Sequence, residues 1–124
     1  MAAPINVFKS FVKDLTDDAF NTPGTLVYTA PGNNTAIVLM AQIANTGTGT
    51  INATFRLDKD EGSAIPGTFG DLVSDFSIPE SDSVDVLSGK LIVEEGQQIR
   101  ARIDSVAGGR AGNIVISVLE SRNA

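Results

Sequence analysis

The 124-residue sequence contains no cysteine, no histidine and no tryptophan. Without cysteine and histidine it cannot build a disulfide framework, a zinc centre with Cys or His ligands, a cysteine nucleophile or a Ser-His-Asp triad. Basic residues are also scarce, since 9 Lys and Arg stand against 15 Asp and Glu, and the formal net charge is −6. Because such a surface repels phosphate backbones, we expect no nucleic-acid partner.

Long hydrophobic runs are missing as well. The longest apolar run, residues 36–44, is interrupted by Gln42 and is far shorter than the ~20 residues of a membrane-spanning helix. The N-terminus lacks the basic start and apolar stretch of a signal peptide. We therefore expect neither a membrane segment nor a secretory leader.

What the chain does contain is typical of β structure. Ile, Val and Thr are frequent, and 12 glycines and 5 prolines are spaced to suit short strands and turns. About eight short strands without a clear helix predict an all-β, antiparallel two-sheet sandwich of jelly-roll or Ig-like type. We expect a single domain over residues 1–124, with residues 1–20 forming an arm or an edge strand.

Several segments carry more specific expectations. Residues 5–15 fit both a helical and a strand period, and the β-rich remainder favours a strand. Residues 35–45 form the longest predicted strand, which a turn at 46–49 joins to residues 50–57 as a hairpin. Apolar and polar residues alternate regularly at 50–57 and 97–103, which predicts that one face of each strand is buried. The residues predicted to be buried are Ile51, Ala53, Phe55, Leu57, Ile99, Ala101 and Ile103.

Acidic side chains cluster in one loop and invite a cation-site hypothesis. Asp58, Asp60 and Glu61 precede a glycine, but the spacing does not match a calcium loop, and Asp82 and Asp85 are weaker candidates. A solvated loop is the favoured interpretation.

Because 15 acidic residues in a small chain produce carboxylate pairs by chance, such pairs do not indicate a glycosidase. We expect no enzyme activity, no metal and no cofactor.

The most informative pattern is apolar character on both faces of several strands. Residues 35–45, 91–93 and 114–119 have it, although a sandwich strand has one face on the core and the other in water. The second face needs a cover, which is either the N-terminal segment of the same chain or another subunit, and we favour the subunit. The candidate interface residues are Phe8, Phe11, Val38, Met40, Val115 and Leu119.

Three stretches resemble the small virion structural proteins of tailed bacteriophages. They are LVYTAPGNNTAIVL at residues 26–39, FSIPESDSVDVLSGKLIVEEGQQIRARI at 76–103 and ISVLE at 116–120. The resemblance implies a non-enzymatic protein of the virion that is present in many copies. The expected role is a capsid decoration protein that packs against the major capsid protein and against itself, with a trimer as the guessed oligomer.

The alternative role is a neck, tail or fibre module, which could bind a host glycan. Sugar-binding surfaces usually offer exposed aromatic rings, above all Trp and Tyr. This chain has no Trp and one Tyr. The weak glycan candidates are therefore Phe20, Tyr28 and Phe69.

Overall fold

The computed structural model describes residues 6–15, 25–58 and 69–122. These residues form strands β1 (Asn6–Leu15), β2 (Thr25–Thr29), β3 (Asn34–Asn45), β4 (Ile51–Asp58), β5 (Phe69–Ile78), β6 (Ser83–Asp85), β7 (Leu91–Val93), β8 (Gln98–Ile103) and β9 (Gly112–Arg122). A single 3-10 turn at Ala107–Gly109 precedes β9.

The strands form two antiparallel sheets. The five-stranded sheet has the order β1-β9-β3, with β6 and β7 both pairing with the far side of β3, and the four-stranded sheet has the order β2-β8-β4-β5. Every pair is antiparallel. The predicted all-β two-sheet sandwich is confirmed.

The pairing is nested around the link between β4 and β5. β4 pairs with β5, β3 with β6 and β7, β2 with β8, and β1 with β9, so the first four strands alternate between the two sheets. This arrangement is a long hairpin folded over on itself, which is the jelly-roll topology. Ig-like sandwiches instead place strands A and B in one sheet, so the Ig-like alternative is wrong.

The core lies between the sheets and follows the alternation of the sequence. Ile99, Ala101 and Ile103 of β8 are buried, as predicted. In β4, Ile51, Ala53 and Phe55 are fully buried, whereas Leu57 is only half-buried. The other large side chains with no more than 1% exposure are Val38, Ile43, Ile78, Val93, Ile114, Ile116 and Val118.

A bulge at Leu39 switches the buried face of β3. The pairing with β9 shifts between Val38 and Met40, so Leu39 has no direct partner in this register. Val38 is therefore buried before the bulge, whereas Ala41 and Ile43 are buried after it. The predicted exposure of Val38 is wrong, because uninterrupted alternation assigned it to the same face as Met40.

The predicted hairpin between β3 and β4 is also wrong, because these strands lie in different sheets. Asn45, buried at the end of β3, holds the crossing. Its side-chain amide donates to the carbonyls of Gly49 at 2.8 Å and Ile78 at 3.0 Å, and its Oδ1 accepts from the Gly47 N–H. These three hydrogen bonds from one side chain to backbone groups stabilise the turn that takes the chain from one sheet to the other.

β1 is an edge strand, in agreement with the strand interpretation of residues 5–15. It pairs with β9 through ten consecutive residue pairs and lies in the plane of the five-stranded sheet. β1 therefore extends the outer face of that sheet, the face directed away from the four-stranded sheet, and does not cover it.

Candidate functional site

The outer face of the five-stranded sheet carries a row of apolar side chains across four strands. Phe8 of β1 is opposite Leu119 of β9, Leu119 is opposite Ile37 of β3, and Ile37 is opposite Ile92 of β7. Phe8 is 72% exposed and Ile92 is 60% exposed. Directly opposite residues have Cβ atoms about 5 Å apart, so the four side chains form one continuous strip.

A second, shorter apolar pair lies on the same face. Val12 of β1 is 63% exposed and is opposite Val115 of β9. Between the two rows, Ser10 and Ser117 are opposite each other, and their hydroxyls lie 3.2 Å apart. We call this face the outer apolar surface, and its apolar residues are Phe8, Val12, Ile37, Leu39, Met40, Ile92, Val115 and Leu119.

The outer face of the four-stranded sheet has a different chemistry. There Arg56 Nε lies 2.9 Å from Asp71 Oδ1, and Arg100 Nε lies 3.4 Å from Asp58 Oδ2. Arg56 and Arg100 are neighbours across β4 and β8, and each guanidinium group has a carboxylate beside it. These ion pairs are largely shielded from water, since the side chains of Arg56, Arg100 and Asp58 are 15%, 13% and 2% exposed. The first face thus carries a strip of apolar side chains, whereas the second carries two ion pairs with Leu26, 40% exposed, opposite Arg100.

A cleft of about 390 Å³ opens between β1 and β2, the edge strands of the two sheets. Glu120 of β9 lies in it, only 5% exposed, and accepts a 2.5 Å hydrogen bond from the Tyr28 hydroxyl. Lys9 Nζ lies 2.9 Å from the other carboxylate oxygen. The Phe11 and Tyr28 rings pack with their centroids 5.2 Å apart.

The cleft shifts the pKa of both ionisable partners. Burial alone would raise the pKa of Glu120, but the hydrogen bond from Tyr28 and the charge of Lys9 outweigh it and hold the pKa below its ordinary value. Burial, together with the adjacent Glu120 carboxylate, raises the pKa of Tyr28 well above its ordinary value. The arrangement keeps Glu120 ionised and Tyr28 neutral, which suits a structural link between the sheets.

The candidate interface residues do not all share one surface. Phe8, Met40, Val115 and Leu119 belong to the outer apolar surface, whereas Val38 is in the core. Phe11 lies on the cleft side of β1, against Tyr28. Sequence reasoning missed Val12, Ile37, Leu39 and Ile92. Their apolar character was visible, but only the pairing of distant strands places them on one face.

Of the three glycan candidates, Tyr28 is the one whose side chain the structure describes. The Tyr28 ring is only 5% exposed and is covered by Phe11, so the expectation that it could be an exposed stacking platform is wrong. Phe20 lies outside the described residues, and of Phe69 only the backbone, at the start of β5, is described. For these two residues glycan binding stays a prediction.

Two of the acidic candidates for a cation site, Asp58 and Asp82, contact neighbouring groups of the fold. Asp58 lies at the end of β4, 2% exposed, next to Arg100. Asp82 accepts a hydrogen bond from the Ser83 N–H, and Glu95 accepts one from the Asn33 N–H. Asp60 and Glu61 lie outside the described residues. Within the described ranges, no three Asp or Glu side chains cluster as metal ligands would.

No protein-family model matches this chain, and a search of curated proteins finds no similar sequence. None of the helical structure in the described residues is long and apolar enough to cross a membrane.

Proposed function

We propose that this chain is a non-enzymatic structural protein of a tailed-phage virion, a decoration protein that packs through its outer apolar surface against the capsid shell and its own copies. The observation that carries the proposal is the strip Phe8–Leu119–Ile37–Ile92, which leaves two large side chains mostly exposed. Monomeric proteins seldom expose a contiguous apolar surface of this kind unless a partner covers it.

The contrast between the two outer faces supports the proposal. A chain that functions alone has the same reason to make both faces polar, yet only the four-stranded sheet carries the Arg56–Asp71 and Arg100–Asp58 pairs. The three most exposed apolar side chains, Phe8, Val12 and Ile92, all lie on the outer apolar surface, whereas Leu26, Leu72 and Phe76 of the four-stranded sheet are 39–47% exposed. The outer apolar surface can form the dehydrated centre of a protein interface with a polar rim.

The identity of the partner rests on resemblance and on fold. Residues 26–39, 76–103 and 116–120 resemble small virion proteins of tailed phages, and jelly rolls are common among viral capsid domains, although they also occur in lectins. Fold by itself does not specify function, so this part of the proposal is an analogy. The repeated contacts of a symmetric shell would place the outer apolar surface against protein in every copy.

The test is co-sedimentation of the purified chain with capsid shells of the phage that encodes it. We expect the wild-type chain to pellet with the shells and Ile92→Asp to remain in the supernatant. The matched control is Val106→Asp, because Val106 is 42% exposed but lies in the loop before β9. All variants should retain the circular dichroism spectrum of the wild type.

Two outcomes would overturn the proposal. In the first, the wild-type chain associates with neither shells nor tails and is found nowhere in purified particles. In the second, Ile92→Asp and Val106→Asp pellet as well as the wild type, so the outer apolar surface takes no part in the contact.

A further inference from the structure

β1 presents a long, regular strand edge. Its ten residue pairs with β9 contain no bulge, and no described strand pairs with its other side. Such an edge carries a row of backbone N–H and C=O groups that can pair with another strand. Side chains on both faces of this strand are exposed, Phe8 and Val12 at 72% and 63% on one face and Lys9 at 47% on the other.

The other described edges carry the features that prevent strand addition. β2 has five residues and a register shift, and β6 and β7 have three residues each. β5 has two register shifts, and Asp75 within it has a φ of 48°, which interrupts regular pairing. β1 contains neither bulge nor proline, and the charge of Lys9 is compensated by Glu120 at 2.9 Å.

We propose that two copies of this chain pair through β1, antiparallel, about a two-fold axis at Ser10. In this register Val7 is opposite Lys13 of the second copy, Phe8 is opposite Val12 and Lys9 is opposite Phe11. Residues 6–14 take part, and no like charges are opposite each other. A Lys opposite a Phe also allows a cation–π contact.

Charge excludes the neighbouring registers. Centring the pair on Lys9 places Lys9 opposite its own copy, and centring it on Phe11 places Lys9 opposite Lys13. Like charges directly opposite each other destabilise a strand pair. Centring the pair on Phe8 avoids such contacts but pairs only residues 6–10 of each copy. Centring the pair on Val12 also avoids them but pairs only residues 9–15. The Ser10 register is therefore the longest that charge permits.

This inference rests on the proposed function and deepens it by specifying how copies combine. Phe8 opposite Val12 of the second copy would join the two outer apolar surfaces into one across both five-stranded sheets. An isologous contact of this kind is closed, so it gives a discrete pair and does not grow into a fibre. It also differs from the trimer expected from the sequence.

The decisive variant is Ser10→Cys, because the chain has no cysteine of its own. Directly opposite residues in antiparallel strands have Cα atoms about 4.5–5.5 Å apart, within the range of a disulfide. We expect mild oxidation to convert most of the Ser10→Cys protein into a covalent dimer on a non-reducing gel. The control is Asp14→Cys, on the same exposed face. Its two sulfurs would lie about 27 Å apart, since eight residues of about 3.3 Å separate the partners.

Charge at position 6 gives a second measurement of the register, because Asn6 is opposite the uncharged Ser121 within its own chain. Asn6→Lys faces Asp14 of the second copy and should raise the dimer fraction in sedimentation velocity several-fold, whereas Asn6→Asp should lower it by a similar factor. Equal effects of the two variants would overturn the proposed register. Equal cross-linking of Ser10→Cys and Asp14→Cys, a monomer at all concentrations, or a mass of three copies would overturn the pair itself.

The outcomes separate the two proposals. A chain that pellets with shells in an Ile92-dependent manner but does not cross-link at position 10 keeps the proposed function and loses the β1 pair. A chain that cross-links at position 10 but never associates with virion components keeps the pair and loses the virion role.

Discussion

Tyr28 on β2 donates a 2.5 Å hydrogen bond to Glu120 on β9, and this bond joins the two sheets of the sandwich. Both residues are 5% exposed, and Lys9 on β1 completes the group from the edge of the five-stranded sheet. A buried carboxylate is costly unless it is paired and hydrogen-bonded, and here it is both. The three strands that frame the cleft are therefore held by one polar cluster.

Replacement of Tyr28 by Phe should lower the free energy of unfolding by about 1–3 kcal/mol, because Glu120 loses a charge-assisted hydrogen bond while it stays buried. Urea unfolding of the wild type and Tyr28→Phe measures the difference. The double variant Tyr28→Phe/Glu120→Gln should lose less than the sum of the single effects. Strictly additive effects would mean that the two residues do not stabilise the fold through each other.

Acid should weaken the fold through Glu120. Its pKa is lowered in the folded state, so its contribution is present above the ordinary pKa of about 4.5 and is lost as the pH falls through the folded pKa. Stability measured by urea unfolding should therefore decrease below about pH 4.5. In Glu120→Gln this part of the decrease should be absent. An unchanged pH dependence in Glu120→Gln would contradict the assignment.

Alkali should reveal Tyr28 as a buried phenol. Its folded pKa is raised, so its contribution is fully present below the ordinary value of 10.0 and is lost as the pH rises through the folded pKa. Because the chain has a single tyrosine, the ultraviolet absorbance of tyrosinate reports on this side chain alone. We expect ionisation to coincide with unfolding as seen by circular dichroism. Ionisation near pH 10 in a folded chain would contradict the buried hydrogen bond.

The sequence predicts those parts of the fold that depend on local periodicity. In β8, Ile99 and Ala101 alternate with arginines, and the buried face follows directly. In β3 the same reasoning fails at Leu39, because one extra residue reverses the alternation without any proline or glycine to mark it. Bulges of this kind depend on the partner strand, and a single strand's sequence does not contain that information.

The candidate site was even less accessible to local reasoning. Phe8 and Leu119 are 111 positions apart in the chain and meet only because β1 pairs with β9. Ile92 belongs to the same strip because β7 pairs with β3 in a register that places Ile92 opposite Ile37. Apolar excess in these strands predicts that a cover is needed, but only the strand order shows which side chains need it.

Two adjacent substitutions in β3 should separate the core from the outer apolar surface. Val38→Asp places a charge at a site with no exposure and should cost about 3–5 kcal/mol or more, enough to unfold a domain of ordinary stability. Leu39→Asp, at a side chain with 36% exposure in the bulge, should fold and lose only association. Circular dichroism and thermal melting distinguish the two. A folded Val38→Asp would mean that Val38 does not belong to the core.

Gly47 should tolerate no side chain, because the loop after β3 packs against the loop before β9. A Cβ at Gly47 would lie 2.2 Å from the Gly109 carbonyl oxygen and 2.5 Å from the Ala111 nitrogen. Both are backbone atoms of a segment that holds the 46–49 turn, because the Gly109 and Ala111 carbonyl oxygens accept hydrogen bonds from the Thr48 and Thr46 N–H groups.

We expect Gly47→Ala to lower the free energy of unfolding by about 1–3 kcal/mol, because the two loops must separate to make room. Gly32→Ala is the matched control, since nothing lies within 4 Å of a Cβ there, and it should change stability by less than about 1 kcal/mol. Urea unfolding of both variants tests the difference. Equal stability of the two would show that the loops are not in the close contact that carries the chain from one sheet to the other.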